Sequence, residues 1–201
     1  MSGERGTLGG SFQFAARGIL ETVATQRNMH IHLVAAVLVA TFGSAVPLGL
    51  AEQLGLLVSV FLVLSAEVMN SAIEAAVDLV TGEEDDRARR AKDAAAGSVL
   101  LLAGCAAAVF AVILIRDWEL VQSARAAVTR VFAVGLPLTV LSAFLVFPFQ
   151  RPEGLDLLAA TSGAALLLPM ALFSQSLVFT AVAALAFALC ASAAFARRGA
   201  Q

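Results

Sequence analysis

Residues 54–78 read LGLLVSVFLVLSAEVMNSAIEAAVD. The stretch opens as the middle of a membrane span. Then Glu67, Asn70, Glu74 and Asp78 arrive within twelve residues. A carboxylate inside a bilayer costs a few kcal/mol or more, so such a group is a functional-site hypothesis by default. Helical geometry gives the four a common direction. At about 100° per residue, with Glu67 at zero, Asn70 falls near 300°, Glu74 near 340° and Asp78 near 20°. They share a stripe about 80° wide, bordered by Ser71. Depth gives the stripe a gradient. Leu54 to Glu67 is a rise of about 20 Å, about two-thirds of a hydrocarbon core roughly 30 Å thick. Glu74 then lies near the interface and Asp78 at or beyond it.

The rest of the chain fits a membrane setting. Of 201 residues, 60% are hydrophobic and only 14% charged, with a net charge of −2, and the mean hydropathy is +0.88. That is too apolar for a soluble domain of this size and offers no basic tract for nucleic acid. Cys105 and Cys190 both lie in apolar runs and read as small hydrophobes rather than a disulfide. The first thirty residues hold Arg5, Arg17, Glu21 and Arg27 without a compact apolar core, so no cleavable signal peptide is expected.

Residues 11–30 are amphipathic, with Phe12, Ala16, Ile19, Leu20 and Val23 at helical spacing, and predict a helix on the membrane surface. Six apolar runs follow, near 32–50, 53–80, 94–115, 131–149, 156–173 and 177–196. Pro169 is expected to interrupt the fifth, and the short SQS link predicts a tight hairpin between the last two. The positive-inside rule places Arg5, Arg17 and Arg27, the linker residues Arg87, Arg89, Arg90 and Lys92, and Arg197 and Arg198 on one, cytoplasmic, side. Arg116, Arg125 and Arg130 then fall outside, a mild violation that leaves the last three spans less firmly oriented. The chain divides functionally near residue 120: 1–118 carries the charged helices, 119–201 three uncharged spans.

Glu83 through Arg90 read as a solvated charged loop. Lys92 and Asp93 differ, since they start the third span level with Asp78. Spaced carboxylates with water access suit Mg²⁺, which takes oxygen ligands and shares them with phosphate. A neighbouring Lys and the exposed amides of a helix N-terminus would hold a polyphosphate. His30 and His32 flank Ile31 just before the first span. They are expected to be interfacial anchors, a metal pair being the alternative. Ala94–Gly97 and Ala106–Ala108 are expected to allow close helix packing.

The segments EVMNSAIEAAVD (67–78) and AKDAAAGSVL (91–100) resemble the prokaryotic diacylglycerol kinase family, which includes undecaprenol kinases. The resemblance covers about Phe12 to Trp118. RNMHIHL (27–33) is similar to the segment entering the first span in the undecaprenol-kinase branch. It implies an all-α integral membrane lipid kinase: a surface helix and a three-helix core, here followed by about three further spans. The implied reaction is ATP- and Mg²⁺-dependent phosphorylation of a lipid alcohol, undecaprenol or diacylglycerol. The implied setting is a homotrimer in the bacterial inner membrane, with active sites between subunits at the cytoplasmic face. By resemblance Glu67 is the general base, Asn70 and Ser71 line the site, and Glu74 is a Mg²⁺ ligand that also faces the nucleotide. Asp78, Lys92 and Asp93 hold the nucleotide. Gln26 stands where some relatives have a second metal-binding Glu. Asp85 stands where relatives often have His.

Residues 119–201 contain no His and no Lys, so lipid-phosphatase signatures that need them cannot be built. This half reads as a structural or partner-binding membrane domain, with a lipid-binding or regulatory role as the alternative. No G-x4-G-K-[ST], G-x-G-x-x-G, H-R-D or D-F-G element points to a soluble nucleotide fold. Two other functions stand beside lipid kinase: an ion- or proton-coupled transporter with Glu67 and Glu74 as relay groups, and a catalytically silent scaffold.

Overall fold

The computed structural model describes residues 8–80 and 85–199, and the described residues form an all-α bundle. The elements are α1 (Leu8–Thr25), α2 (Arg27–Ala45), α3 (Leu50–Val80), α4 (Asp86–Arg116), α5 (Trp118–Ser123), α6 (Arg125–Val146), α7 (Glu153–Phe173) and α8 (Leu177–Gly199). Six of these, all but α1 and α5, are long and apolar enough to cross a membrane. The protein is a multi-pass membrane protein. Arg5, Glu83 and Glu84, used in the sequence reading, lie outside the described residues.

Local chemistry sets the boundaries. α2 stops at Ala45 rather than residue 50, because Val46 precedes Pro47 and adopts extended φ −110 and ψ 133. A residue before proline is pushed out of the α region. The same rule ends α6 at Val146, before Phe147 and Pro148. The predicted surface helix is shorter than 11–30 suggested. Gln26 is extended (φ −92, ψ 118), and Arg27–Ile31 joins the first span. Pro169 does not interrupt α7, nor does Pro137 interrupt α6. Membrane helices accommodate proline where neighbours satisfy the freed backbone groups. The charged linker is not wholly loop either: Asp86–Arg90 are helical, and Asp85 caps α4 by accepting from the Arg87 and Ala88 amides at 2.6 and 3.2 Å.

α3 and α4 pair as a long antiparallel hairpin, while α2 packs chiefly against α6 and α8, and α1 lies on α8 and α3. One apolar core runs through both halves of the chain. It joins Leu33, Val37 and Ala40 of α2 to Val131 and Leu138 of α6 and Phe179 and Ala183 of α8. Close approach depends on three glycines. A Cβ on Gly43 would meet the Phe179 ring at 2.5 Å, one on Gly135 would overlap Thr41 Cγ2, and one on Gly163 would overlap the Phe187 ring. At Gly97, in one of the two small-residue segments of α4, a Cβ would meet nothing within 4 Å. The far end of the bundle is tied by the SQS link, with Gln175 N–H donating to Ser44 O at 2.7 Å and Ser176 Oγ to Gln53 at 3.2 Å. Both cysteines are free, Cys105 exposed and Cys190 buried.

Candidate functional site

The polar stripe of α3 faces α1, α2 and α4 at one end of the bundle. Its burial is graded. Glu67 is 1% exposed and Asn70 5%. Glu74 is half-buried and Asp78 exposed. The helix runs from an enclosed interior to an exposed end, and each turn brings the next polar group nearer that end.

Each predicted site residue has a definite neighbour. His32 Nε2 of α2 stands 3.3 Å from Glu67 Oε1. The contact lacks hydrogen-bond alignment, so Glu67 Oε1 is a buried oxygen without a hydrogen-bond donor. Ser71 borders the stripe but spends its hydroxyl on the Glu67 carbonyl at 2.9 Å. Asn70 Nδ2 donates to Glu74 Oε1 at 2.9 Å, leaving Asn70 Oδ1 buried and unpartnered. Gln26 Nε2 reaches Glu74 Oε2 at 3.5 Å, because the break between α1 and α2 turns that side chain toward α3. Lys92 Nζ of α4 meets Asp78 Oδ1 at 2.5 Å across the hairpin.

Asp93 does not join Asp78. It pairs with Arg89 on its own helix at 3.1 Å. Nor do helix-terminal amides stand at Lys92 and Asp93, since α4 begins at Asp86 and the N-terminal donors belong to the turn capped by Asp85.

The histidines correct the sequence reading. His30 is buried and His32 half-buried against protein, so neither stands free as an anchor would. His30 is 3% exposed. Its Nε2 bonds the Val23 carbonyl at 2.8 Å, and its ring meets Phe147 edge-on at 5.6 Å. His32 is the polar neighbour of Glu67. No pattern within α2 or α3 marks this pairing, because it depends on how the two helices rotate against each other. Almost wholly apolar grooves lie beside the buried end of the stripe. One, about 460 Å³, is lined by His32 together with Val39, Phe42, Leu64, Ala106 and Phe110.

The family model for prokaryotic diacylglycerol kinase matches residues 13–114, the segment that carries this geometry. The chain belongs to the prokaryotic diacylglycerol kinase family. An undecaprenol kinase of Bacillus subtilis is 42% identical over 93 residues, covering 46% of this chain and 76% of that one. A diacylglycerol kinase of Synechocystis is 40% identical over 94 residues, covering 46% of this chain and 54% of that one. No solved structure matches significantly. This member of the family is a lipid kinase, and the matched segment contains the whole graded stripe from Glu67 to Asp78 together with Lys92 and Asp93.

As for a metal, no three His, Cys, Asp or Glu side chains converge into a metal cluster among the described residues. The oxygen donors at hand are the Glu74 carboxylate, the orphaned Asn70 Oδ1 and the Gln26 amide. All are hard ligands of the kind Mg²⁺ accepts, and they leave positions for water and phosphate oxygens, as Mg²⁺ requires. The residues present fit a shared, substrate-completed Mg²⁺ site.

Proposed function

We propose that this lipid kinase transfers the γ-phosphate of ATP to the hydroxyl of a membrane polyprenol, with Glu67 as the general base. One observation carries the reading: the only deeply buried carboxylate of the stripe sits beside an apolar groove, while the exposed end carries a Lys–Asp pair. A lipid alcohol reaches Glu67 from the bilayer, and a nucleotide reaches Lys92 from water.

The chain's own residues divide the work. Glu67 accepts the hydroxyl proton as the lipid oxygen forms its bond to the γ-phosphorus and the bond to the β,γ-bridging oxygen breaks, releasing ADP. His32 positions Glu67. Lys92, placed by Asp78, meets phosphate oxygens, and Asp93 borders them. Glu74, with Asn70 and Gln26, would hold Mg²⁺, which when bound neutralises phosphate charge. The apolar groove beside His32 takes the hydrocarbon chain, and the wall of small residues on α4 leaves it wide.

Undecaprenol is the favoured alcohol because RNMHIHL carries both the resemblance and His32 itself. Diacylglycerol is the second reading, supported by the Synechocystis relative. The stripe's open end carries Arg87, Arg89, Arg90 and Lys92 and shares its side with Arg197 and Arg198, so we assign it to the cytoplasmic face of the inner membrane. We also propose a homotrimer. Asp78 and Asp93 each keep 65% of their side chains exposed, and a neighbouring copy against the α3–α4 hairpin would close the site. We assign residues 1–118 to the kinase core and 119–201 to a supporting membrane domain.

The test is label transfer from γ-labelled ATP to undecaprenol and, separately, diacylglycerol by the full chain in detergent. Undecaprenol should be phosphorylated faster. Glu67→Gln should lower turnover by about 10²–10⁴-fold, the range of a lost general base, with little change in the KM for ATP. Retained turnover in that variant would remove Glu67 from the role.

A further inference from the structure

Arg151, Arg197 and Arg198 converge on a cavity of about 370 Å³ that the phosphoryl-transfer site does not use. It lies where α6 ends, α7 begins and α8 ends, and Pro148, Phe149 and Gln150 complete its rim. Asp156, in the first turn of α7, is 2% exposed and accepts bonds from both Arg151 and Arg198. Arg197 donates to the Val146 and Leu145 carbonyls at 2.8 and 2.7 Å, closing the C-terminus of α6. Arg151 donates to Phe147 O at 3.2 Å and Leu145 O at 3.1 Å, and its guanidinium stands 4.3 Å from the Phe144 ring centre. Arg198 also donates to Arg151 O at 3.2 Å.

Capping one helix and pairing one carboxylate does not use this much charge. Three guanidiniums stand against one buried carboxylate. Among the described residues the other acid in reach is Glu153, 3.9 Å from Arg198 and 86% exposed, where water screens it. Each guanidinium carries five N–H donors, more than the partners named above take up. Arginine forks fit phosphate oxygens bidentately, and basic pockets between membrane-helix ends bind lipid head groups. The pocket has an apolar side for such a lipid, since Phe149 on its rim is 64% exposed. It also shares its end of the bundle with the kinase site. Phe147 packs on His30, one turn along α2 from Gln26, and Gln26 touches Glu74.

We propose that the Arg151–Arg197–Arg198 pocket binds the phosphate of an anionic membrane lipid, at a site separate from the nucleotide and the lipid alcohol. The bound head group bridges the ends of α6, α7 and α8 beside the start of α2. The C-terminal half thereby reads the charge of the surrounding membrane.

The experiment is a thermal-melt titration of the full chain, purified in neutral detergent, with short-chain phosphatidylglycerol, short-chain phosphatidylcholine and inorganic phosphate. Phosphatidylglycerol should raise the Tm saturably, and phosphatidylcholine should not. Arg198→Gln combined with Asp156→Asn removes one fork without leaving a carboxylate half-paired. It should weaken the phosphatidylglycerol response by about tenfold, the loss of one charge-assisted hydrogen bond. Arg198→Lys keeps the charge and the ion pair. It should fold even where the double variant does not, and should still bind more weakly than the parent chain. Lys92→Ala should leave the response unchanged, which separates this pocket from the kinase site. An equal Tm rise with inorganic phosphate would make the ligand a free anion and overturn the lipid assignment. An unchanged response in both Arg198 variants would overturn the site.

Discussion

A carboxylate that is to take a proton from an alcohol must be shielded from water and held in one orientation. Glu67 meets the first condition by burial. For the second it has His32 at 3.3 Å. That contact is not aligned as a hydrogen bond, so arrival of a hydroxyl between the two groups would give each a partner. In the proposed reaction His32 would therefore position Glu67 rather than act as the base. His32→Ala should lower kcat by about tenfold while leaving the KM for ATP unchanged, and His32→Gln should recover part of the loss because its amide can still donate. A steady-state comparison with a pH–rate profile checks this: a purely structural histidine would shift stability and leave kcat and its pH dependence alone. Asn70 invites a second test. Its amide fixes Glu74 at 2.9 Å and its own oxygen is buried without a partner. Asn70→Ala should raise the Mg²⁺ concentration for half-maximal activity by about 10–100-fold, the usual cost of losing a partner that orients a metal ligand. An unchanged Mg²⁺ curve would remove Asn70 from the metal assignment.

At the level of elements, the α3–α4 hairpin is the part most legible in the sequence. Helical register alone fixes the angles between Glu67, Asn70, Glu74 and Asp78, and an apolar run fixes how deep they sit. The start of α4 was harder to read because DRARR is as polar as a loop. Only the Asp85 cap, bonding two backbone amides, marks it as helix. The break at Gln26 is local backbone geometry inside a continuous amphipathic pattern, and periodicity does not register it. The Glu67–His32 meeting depends on how α2 and α3 rotate against each other, which no single-helix pattern encodes. The same holds for the packing of α2. The small residues of α4 are conspicuous in the sequence, yet the tightest glycine crossings are Gly43 on Phe179, Gly135 on Thr41 and Gly163 on Phe187. Lipid offers apolar side chains as good a solvent as protein does, so helix association rests on such close van der Waals fit. Gly135→Val places new methyl groups where Thr41 already stands. It should destabilise the bundle by about 1–3 kcal/mol, the usual range for overpacking, read as a lower Tm in detergent. Gly97→Val, on the open face of α4, should leave the Tm of the isolated chain nearly unchanged.

For the whole molecule, the question is whether the two halves behave as one body. The family match ends at residue 114, yet α2, inside the matched segment, is buried mainly by α6 and α8 from outside it. Arg197 of α8 also caps α6, while Ser44 of α2 and Thr180 of α8 share a buried hydroxyl contact at 3.3 Å. A kinase core supported in this way should lose activity when its support opens. Cys190 offers a probe of that support, being fully buried on α8, whereas Cys105 is exposed on α4. In a Cys105→Ala background, thiol labelling then reports opening of the C-terminal half and phosphate transfer reports the N-terminal half. Both should change at the same temperature, as coincident probes do in a single cooperative transition. Phe179→Ala, which empties the contact with Gly43, should shift both curves down together, because removing a buried aromatic side chain typically costs about 3–5 kcal/mol. Labelling of Cys190 well below the temperature of activity loss would mean that the halves open separately. In that case the shared core around α2 would be a contact surface between two units rather than the centre of one.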